Sequence, residues 1–153
     1  MTKSELREMI RSVLKEELSL RENVNEESSL ETTLDKAYRR QSNILIITQP
    51  GLGTVASVRK WCNANSVHYV YVNARNKDVL DEIELASTDL EGGVLIIDEY
   101  NRATSRVRAE LLRIVNEHSY NQDVTVGICN SDSDYPINEA ERNRFTYKIN
   151  CYN

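Results

Sequence analysis

The chain has 153 residues, 40 % hydrophobic and 28 % charged, enough for one domain with a true core and ordinary for a water-exposed globular protein. A net charge of −5 argues against general nucleic-acid binding. No apolar run nears the roughly 20 residues of a membrane helix, and the charged N-terminal stretch excludes a secretory signal. Three widely spaced cysteines and two histidines form no metal-ligand spacing and no C-x-x-C pair, which points to buried thiols in a reducing compartment and makes cytoplasm the expected location.

Residues 2–20 carry an apolar stripe at helical spacing, Leu6, Ile10, Val13 or Leu14, and Leu18, with Thr2 or Ser4 as the cap. This predicts an amphipathic helix. It either packs on its own domain or docks on a protein partner or on another copy of the chain. Residues 21–29 are polar without periodicity and read as a linker. A second helix is predicted over residues 30–40, with Leu30, Leu34 and Ala37 on one side and Ser28 or Ser29 capping it. The expected division is residues 1–29 as helix and linker, and residues 30–153 as an α/β core.

At Asn43 the pattern changes. Residues 43–48 form an apolar strand, Pro50-Gly51-Leu52-Gly53 a turn, and residues 55–64 a helix. A strand, glycine turn and helix N-terminus together aim backbone N–H groups and the positive end of a helix dipole at the loop, which favours phosphate. The phosphate-binding pattern is G-x-x-x-x-G-K-[ST]. With Gly53 on its second glycine, Thr48 stands at the first, Thr54 replaces the lysine and Val55 replaces the hydroxyl residue.

Further on, strands are predicted over residues 67–72, 94–97, 124–128 and 145–149, and helices over 77–86, 106–118 and 138–143. Strand–helix alternation of this kind implies a parallel sheet with helices on both faces. The third strand delivers Asp98-Glu99 at its carboxyl end. In an ATP site such a pair divides the work: Asp98 holds Mg²⁺, directly or through water, and Glu99 orients and deprotonates the attacking water. Alternatively, Asp98 and Glu99 cap the turn that follows.

At this point the chain resembles the AAA+ ATPases, particularly their MoxR-like branch. Asp98-Glu99-Tyr100-Asn101-Arg102-Ala103 is similar to that branch's Asp-Glu-Ile-Asn-Arg-Ala. Gly127-Ile128-Cys129-Asn130 is similar to its sensor-1 strand, and Asn143-Arg144-Phe145 to its Asp-Arg-Phe. The resemblance runs from about Leu30 to Ile149. It implies a P-loop NTPase-like three-layer α/β sandwich, a five-stranded parallel sheet in the order 5-1-4-3-2, with an extra helix in front. It implies a nucleotide held by Pro50, Gly51, Leu52, Gly53, Thr54, Val55 and Asp98, with Asp98 on the metal. Glu99, Asn130 and Arg144 are the implied catalytic residues, Arg144 reaching a neighbouring subunit's site. Arg142 competes with Arg144 for that role, and Arg102 reads equally well as a solvated charge.

The departures fall on the catalytic parts. Thr54 offers a neutral hydroxyl where the family has an ammonium, and Val55 has no oxygen for Mg²⁺. Hydrogen bonds to charged groups contribute roughly 1.5–3 kcal/mol each, so Mg-ATP is expected to bind about 100-fold more weakly or worse. The chain also stops soon after the last strand, where the family continues into a helical lid. Two readings follow. One is a non-hydrolysing scaffold or regulatory subunit, attached through residues 2–20 and the Arg144 face, in a lid-less layout similar to gene products of large phages. The other is a working ATPase with an altered P-loop, or one completed by a partner chain. A flavodoxin-like or receiver-type domain also fits the alternation, but it leaves the Asn-Arg-Phe stretch unexplained.

Overall fold

A computed structural model of the chain describes residues 2–22, 26–49, 51–87, 92–131 and 134–151, with side chains described outside 14–22 and 26–29. Helix α1 (Lys3–Glu22) and α2 (Glu26–Arg40) precede β1 (Ile44–Thr48). Then come α3 (Thr54–Ala64), β2 (Tyr69–Asn73), α4 (Val79–Ser87), β3 (Val94–Asp98), a 3₁₀ turn (Tyr100–Arg102), α5 (Ser105–Glu117), β4 (Val124–Asn130), α6 (Glu139–Arg142) and β5 (Tyr147–Cys151). The five strands form one sheet in the order β2-β3-β4-β1-β5, all pairs parallel. Read from the other edge, this is the expected 5-1-4-3-2.

The alternation of strand side chains divides the core between the two faces. On one face Ile44 and Ile46 of β1, with Val94 and Ile96 of β3, pack under α2 and α3 through Leu30, Leu34, Ala37, Val58, Trp61 and Cys62. On the other, Leu45, Leu95 and Ile97 pack under α4 and α5 through Val79, Ile83, Leu111, Ile114 and Val115. Helices on both sides of a buried sheet make three layers, as predicted. Trp61 fixes α3 to α2: its ring meets Tyr38 edge-on at 5.6 Å, and its Nε1 donates to Asp35 at 2.9 Å.

Several boundaries move. The predicted linker over 21–29 narrows, because α1 runs to Glu22 and α2 already begins at Glu26. Ser28 and Ser29 therefore lie inside the first turn of α2 rather than capping it, and residues 23–25 lie outside the described residues. At the start of α1, Thr2 is the cap. Its Oγ1 accepts from Glu5 N at 3.1 Å, and Glu5 returns a carboxylate to Thr2 N at 2.9 Å, a reciprocal pair that satisfies two end donors. The second strand shifts to Tyr69–Asn73 and the fifth to Tyr147–Cys151. Phe145 is not a strand residue; it is fully buried against Tyr100 at 5.8 Å, edge to face.

Candidate functional site

In a parallel sheet every strand ends on the same edge. That edge carries Thr48, Asn73, Asp98 and Asn130, with Thr48 beside Asn130 and Asn73 beside Asp98. The loop leaving β1 starts from this edge too, so the glycine bend and the Asp-Glu tip share one end of the sheet, the usual ligand side of such folds. Pro50 lies outside the described residues. Gly51 (φ 87°) and Gly53 (φ 68°) both hold left-handed backbone, which glycine adopts without the Cβ penalty. Gly53 is the N-cap of α3, and no side chain caps that end.

The two residues that depart from the phosphate-binding pattern behave differently. Thr54 is buried, and its Oγ1 lies 2.7 Å from Oγ1 of buried Thr48. Thr48 donates to Gln49 O at 3.2 Å, so Thr54 is the donor of the pair. The threonines at the pattern's first-glycine and lysine positions thus satisfy each other across the base of the loop. Val55, like Leu52, packs against the core under α2 and α3 and brings no oxygen to the edge.

Both carboxylates have partners from within the chain. Asp98 Oδ2 accepts from the Tyr71 hydroxyl at 2.7 Å, and Oδ1 from the Glu99 amide at 2.8 Å. The second contact joins adjacent residues at the strand tip; the 3₁₀ turn that follows has Glu99 as its N-cap, with no side-chain cap hydrogen bond. Tyr71 has its pKa raised, first by burial and then by Asp98, so it keeps its proton and remains a donor. The Arg59 guanidinium of α3 lies over the Tyr71 ring, 4.4 Å from its centroid. Glu99 holds left-handed backbone at φ 50°, uncommon outside glycine. Its Oε2 accepts from Asn73 Nδ2 at 2.8 Å, and its Oε1 lies 3.8 Å from Arg75. Sequence reasoning missed Tyr71 and Asn73. Period-two alternation puts both on one face of their strand, but only the pairing of β2 with β3 reveals whom they meet.

Asn101, almost fully buried, ties the Asp-Glu turn to the tip of β4. Its Nδ2 donates to Asn130 O at 3.2 Å and to Tyr135 O at 3.0 Å, and its Oδ1 accepts from Asn130 N at 3.3 Å. Thr48 O accepts from Ser131 N at 2.9 Å, closing the same edge from the other side. Arg102 is not simply solvated; it stacks over the Tyr135 ring at 4.2 Å. Arg142 and Arg144 are exposed at the end of α6, and Arg142 lines an open hollow of about 410 Å³ with Ile137, Glu139, Asn143 and Lys148. Among the described residues no contact joins either arginine to Asp98 or Glu99.

A nucleotide-bound Mg²⁺ in a P-loop site is held by the hydroxyl residue after the lysine and by the strand-tip aspartate. Here Val55 has no hydroxyl, and the Thr54 hydroxyl is engaged with Thr48. One of the two side-chain ligands of such a site is therefore missing, and the donor set does not fit a Mg²⁺ held in that way.

The sequence matches no family model and no curated protein. Solved structures do match it. The Thermotoga maritima RuvB Holliday junction branch migration motor superposes with a TM-score of 0.59 at 21 % identity, over 91 % of this chain and 44 % of that one. A point mutant of that motor gives a TM-score of 0.63 at 22 % identity, over 85 % and 45 %. A Cytophaga hutchinsonii protein described provisionally as an ATPase gives 0.63 at 17 %, over 95 % and 55 %. The chain spans about half the length of these solved structures. At such identities the likeness is one of fold, and the chain has the P-loop NTPase-like α/β fold.

Proposed function

We propose that this chain is an AAA+-like core with a degenerate nucleotide site, acting as a non-hydrolysing scaffold or regulatory subunit. The observation that carries this reading is the Thr48–Thr54 hydroxyl pair. Where a P-loop lysine would reach for the phosphate tail, this chain closes the loop base on itself. Loss of that cation removes the charge stabilisation that phosphoryl transfer depends on. ATP, with or without Mg²⁺, is on this reading a weak ligand of residues 50–55 at most. Glu99, Asn130 and Arg144 are inherited features or serve a neighbouring subunit. Attachment, to a partner or to another copy, runs through residues 2–20 and the Arg144 face, in the cytoplasm.

The reading is tested by isothermal titration with Mg-ATP together with phosphate release. The expected result is no turnover, with binding about 100-fold weaker than a lysine-bearing loop gives. The double substitution Thr54→Lys with Val55→Thr is expected to create tight nucleotide binding. A double variant that binds no better means the loop register is wrong.

A second reading, hydrolysis of ATP by an altered or partner-completed loop, draws on Asp98 and Glu99 standing on the same sheet edge as Asn130. Sustained phosphate release by the unaltered chain would establish it in place of the first.

A further inference from the structure

The sheet edge holds two carboxylates, and the chain itself supplies a partner to each. Asp98, part-buried at the strand tip, takes a short hydrogen bond from Tyr71 at 2.7 Å and a second from the Glu99 amide at 2.8 Å. Behind the Tyr71 ring, 4.4 Å from its centroid, lies the Arg59 guanidinium. Arg59 Nε is buried and makes no hydrogen bond. A cation over an aromatic face draws electron density from the ring, and polarising a donor strengthens the hydrogen bond it makes. The arrangement runs Arg59, Tyr71 ring, Tyr71 hydroxyl, Asp98, with positive charge at one end and negative at the other.

We propose that Arg59 and Tyr71 stand in for a metal ion at Asp98, so that this carboxylate is compensated within the chain and does not recruit a divalent cation. The inference deepens the functional reading above and rests on it for the metal role of Asp98 in related folds. It assigns Tyr71 as the residue that decides metal exclusion, with Arg59 positioning it and supplying the charge. Glu99, beside Asp98, is engaged by Asn73 and Arg75 in the same way.

The test is binding of Mn²⁺ alone to the full chain, followed by the loss of the free-ion paramagnetic signal, in the unaltered protein, D98N, Y71F and Y71F/D98N. The unaltered protein and D98N are expected to agree within about twofold, whereas Y71F should bind about tenfold more tightly than Y71F/D98N. A loss of about tenfold on going from the unaltered protein to D98N would mean that Asp98 is open to metal and would overturn the proposal. Equal binding by Y71F and Y71F/D98N would overturn it too, because the hydroxyl would then not be what blocks the site. Phenylalanine keeps the ring under Arg59. Should Y71F nevertheless fail to fold, the comparison of unaltered protein with D98N decides alone. These titrations contain no nucleotide. Turnover of Mg-ATP by the unaltered protein would remove the functional reading, whereas nucleotide-free Mn²⁺ bound through Asp98 would remove this inference alone.

Discussion

Thr48 and Thr54 are buried threonines whose hydroxyls meet at 2.7 Å at the base of the loop after β1. Both residues are buried; Thr48 also donates to Gln49 O, whereas the Thr54 hydroxyl has Thr48 as its partner. The directions of the bonds make the pair unequal: Thr48 still donates to Gln49 O when Thr54 is removed, whereas Thr54 loses its acceptor when Thr48 is removed. Leaving a buried donor unsatisfied costs about 1–3 kcal/mol. T48V is therefore expected to lower the urea-unfolding free energy by about that amount and T54V by less, while T48V/T54V should recover part of the T48V loss. Equal and additive losses would mean that the two hydroxyls do not depend on each other.

The cysteines make a residue-scale prediction about pH. Burial pushes the Cys129 thiol up to about 12 and the Cys62 thiol up to about 11, from an ordinary 9.0. Below pH 9 folded and unfolded chains both keep these protons, and the contribution to stability is complete. As pH rises from 9 towards 11 and 12, the unfolded chain releases protons that the folded chain retains, so stability falls. Urea midpoints measured from pH 8 to 10.5 are expected to decline, and to decline less steeply in C62A/C129A. Identical slopes in the two proteins would assign the decline to other groups.

At the scale of elements, α1 and α2 differ in what they bury. Helix α2 sets Leu30, Leu34 and Ala37 into the core. Along the described part of α1, Leu6, Met9, Ile10 and Val13 stand 44 % to 52 % exposed. A helix whose apolar stripe faces water gains little from its own domain, which agrees with the proposal that residues 2–20 form an attachment surface. Replacing Leu6 and Ile10 by Glu is expected to lower the solution mass of any self-associated form, read by sedimentation, and to leave the unfolding midpoint of the core unchanged. A shifted midpoint with unaltered mass would place the stripe against the chain's own core.

Gly127 sets a second constraint at this scale, between β4 and the segment before β5. A Cβ built there lies 3.2 Å from Phe145 Cζ and 3.3 Å from Cε1. The Phe145 ring is fully buried and also packs edge to face against Tyr100, which limits its room to retreat. Overpacking of this sort typically costs about 1–3 kcal/mol, and G127A is expected to lose that much in urea unfolding. A neutral result would mean that the ring shifts freely.

For the whole molecule, one sheet edge gathers residues from four strands. The chain visits β1, then leaves for the far side of the sheet and returns through β3 and β4. That path brings Thr48, Asn73, Asp98 and Asn130 to one edge although Thr48 and Asn130 lie far apart in sequence. Arg144 is exposed just after α6, and among the described residues no contact joins it to Asp98 or Glu99.

Much of this was legible beforehand. Short apolar runs of strand length, glycine punctuation and amphipathic helical stretches are local patterns, and they determine fold class and strand count because burial demands them wherever the chain goes. The apolar strand ending in Asp98-Glu99 and the threonine at position 54, set against the pattern's lysine, were visible for the same reason: each is a matter of which residue occupies a position. What remained hidden was who meets whom. Tyr71 faces Asp98, Asn73 faces Glu99, and Asn101 grips the backbone of Asn130 only because β2 pairs with β3 and the turn after β3 folds beside β4. Thr48 satisfies Thr54 only because the loop turns back on its own strand. Composition and periodicity decide what is buried, whereas a hydrogen bond depends on the relative placement of two particular atoms, and that exists only once the sheet has formed.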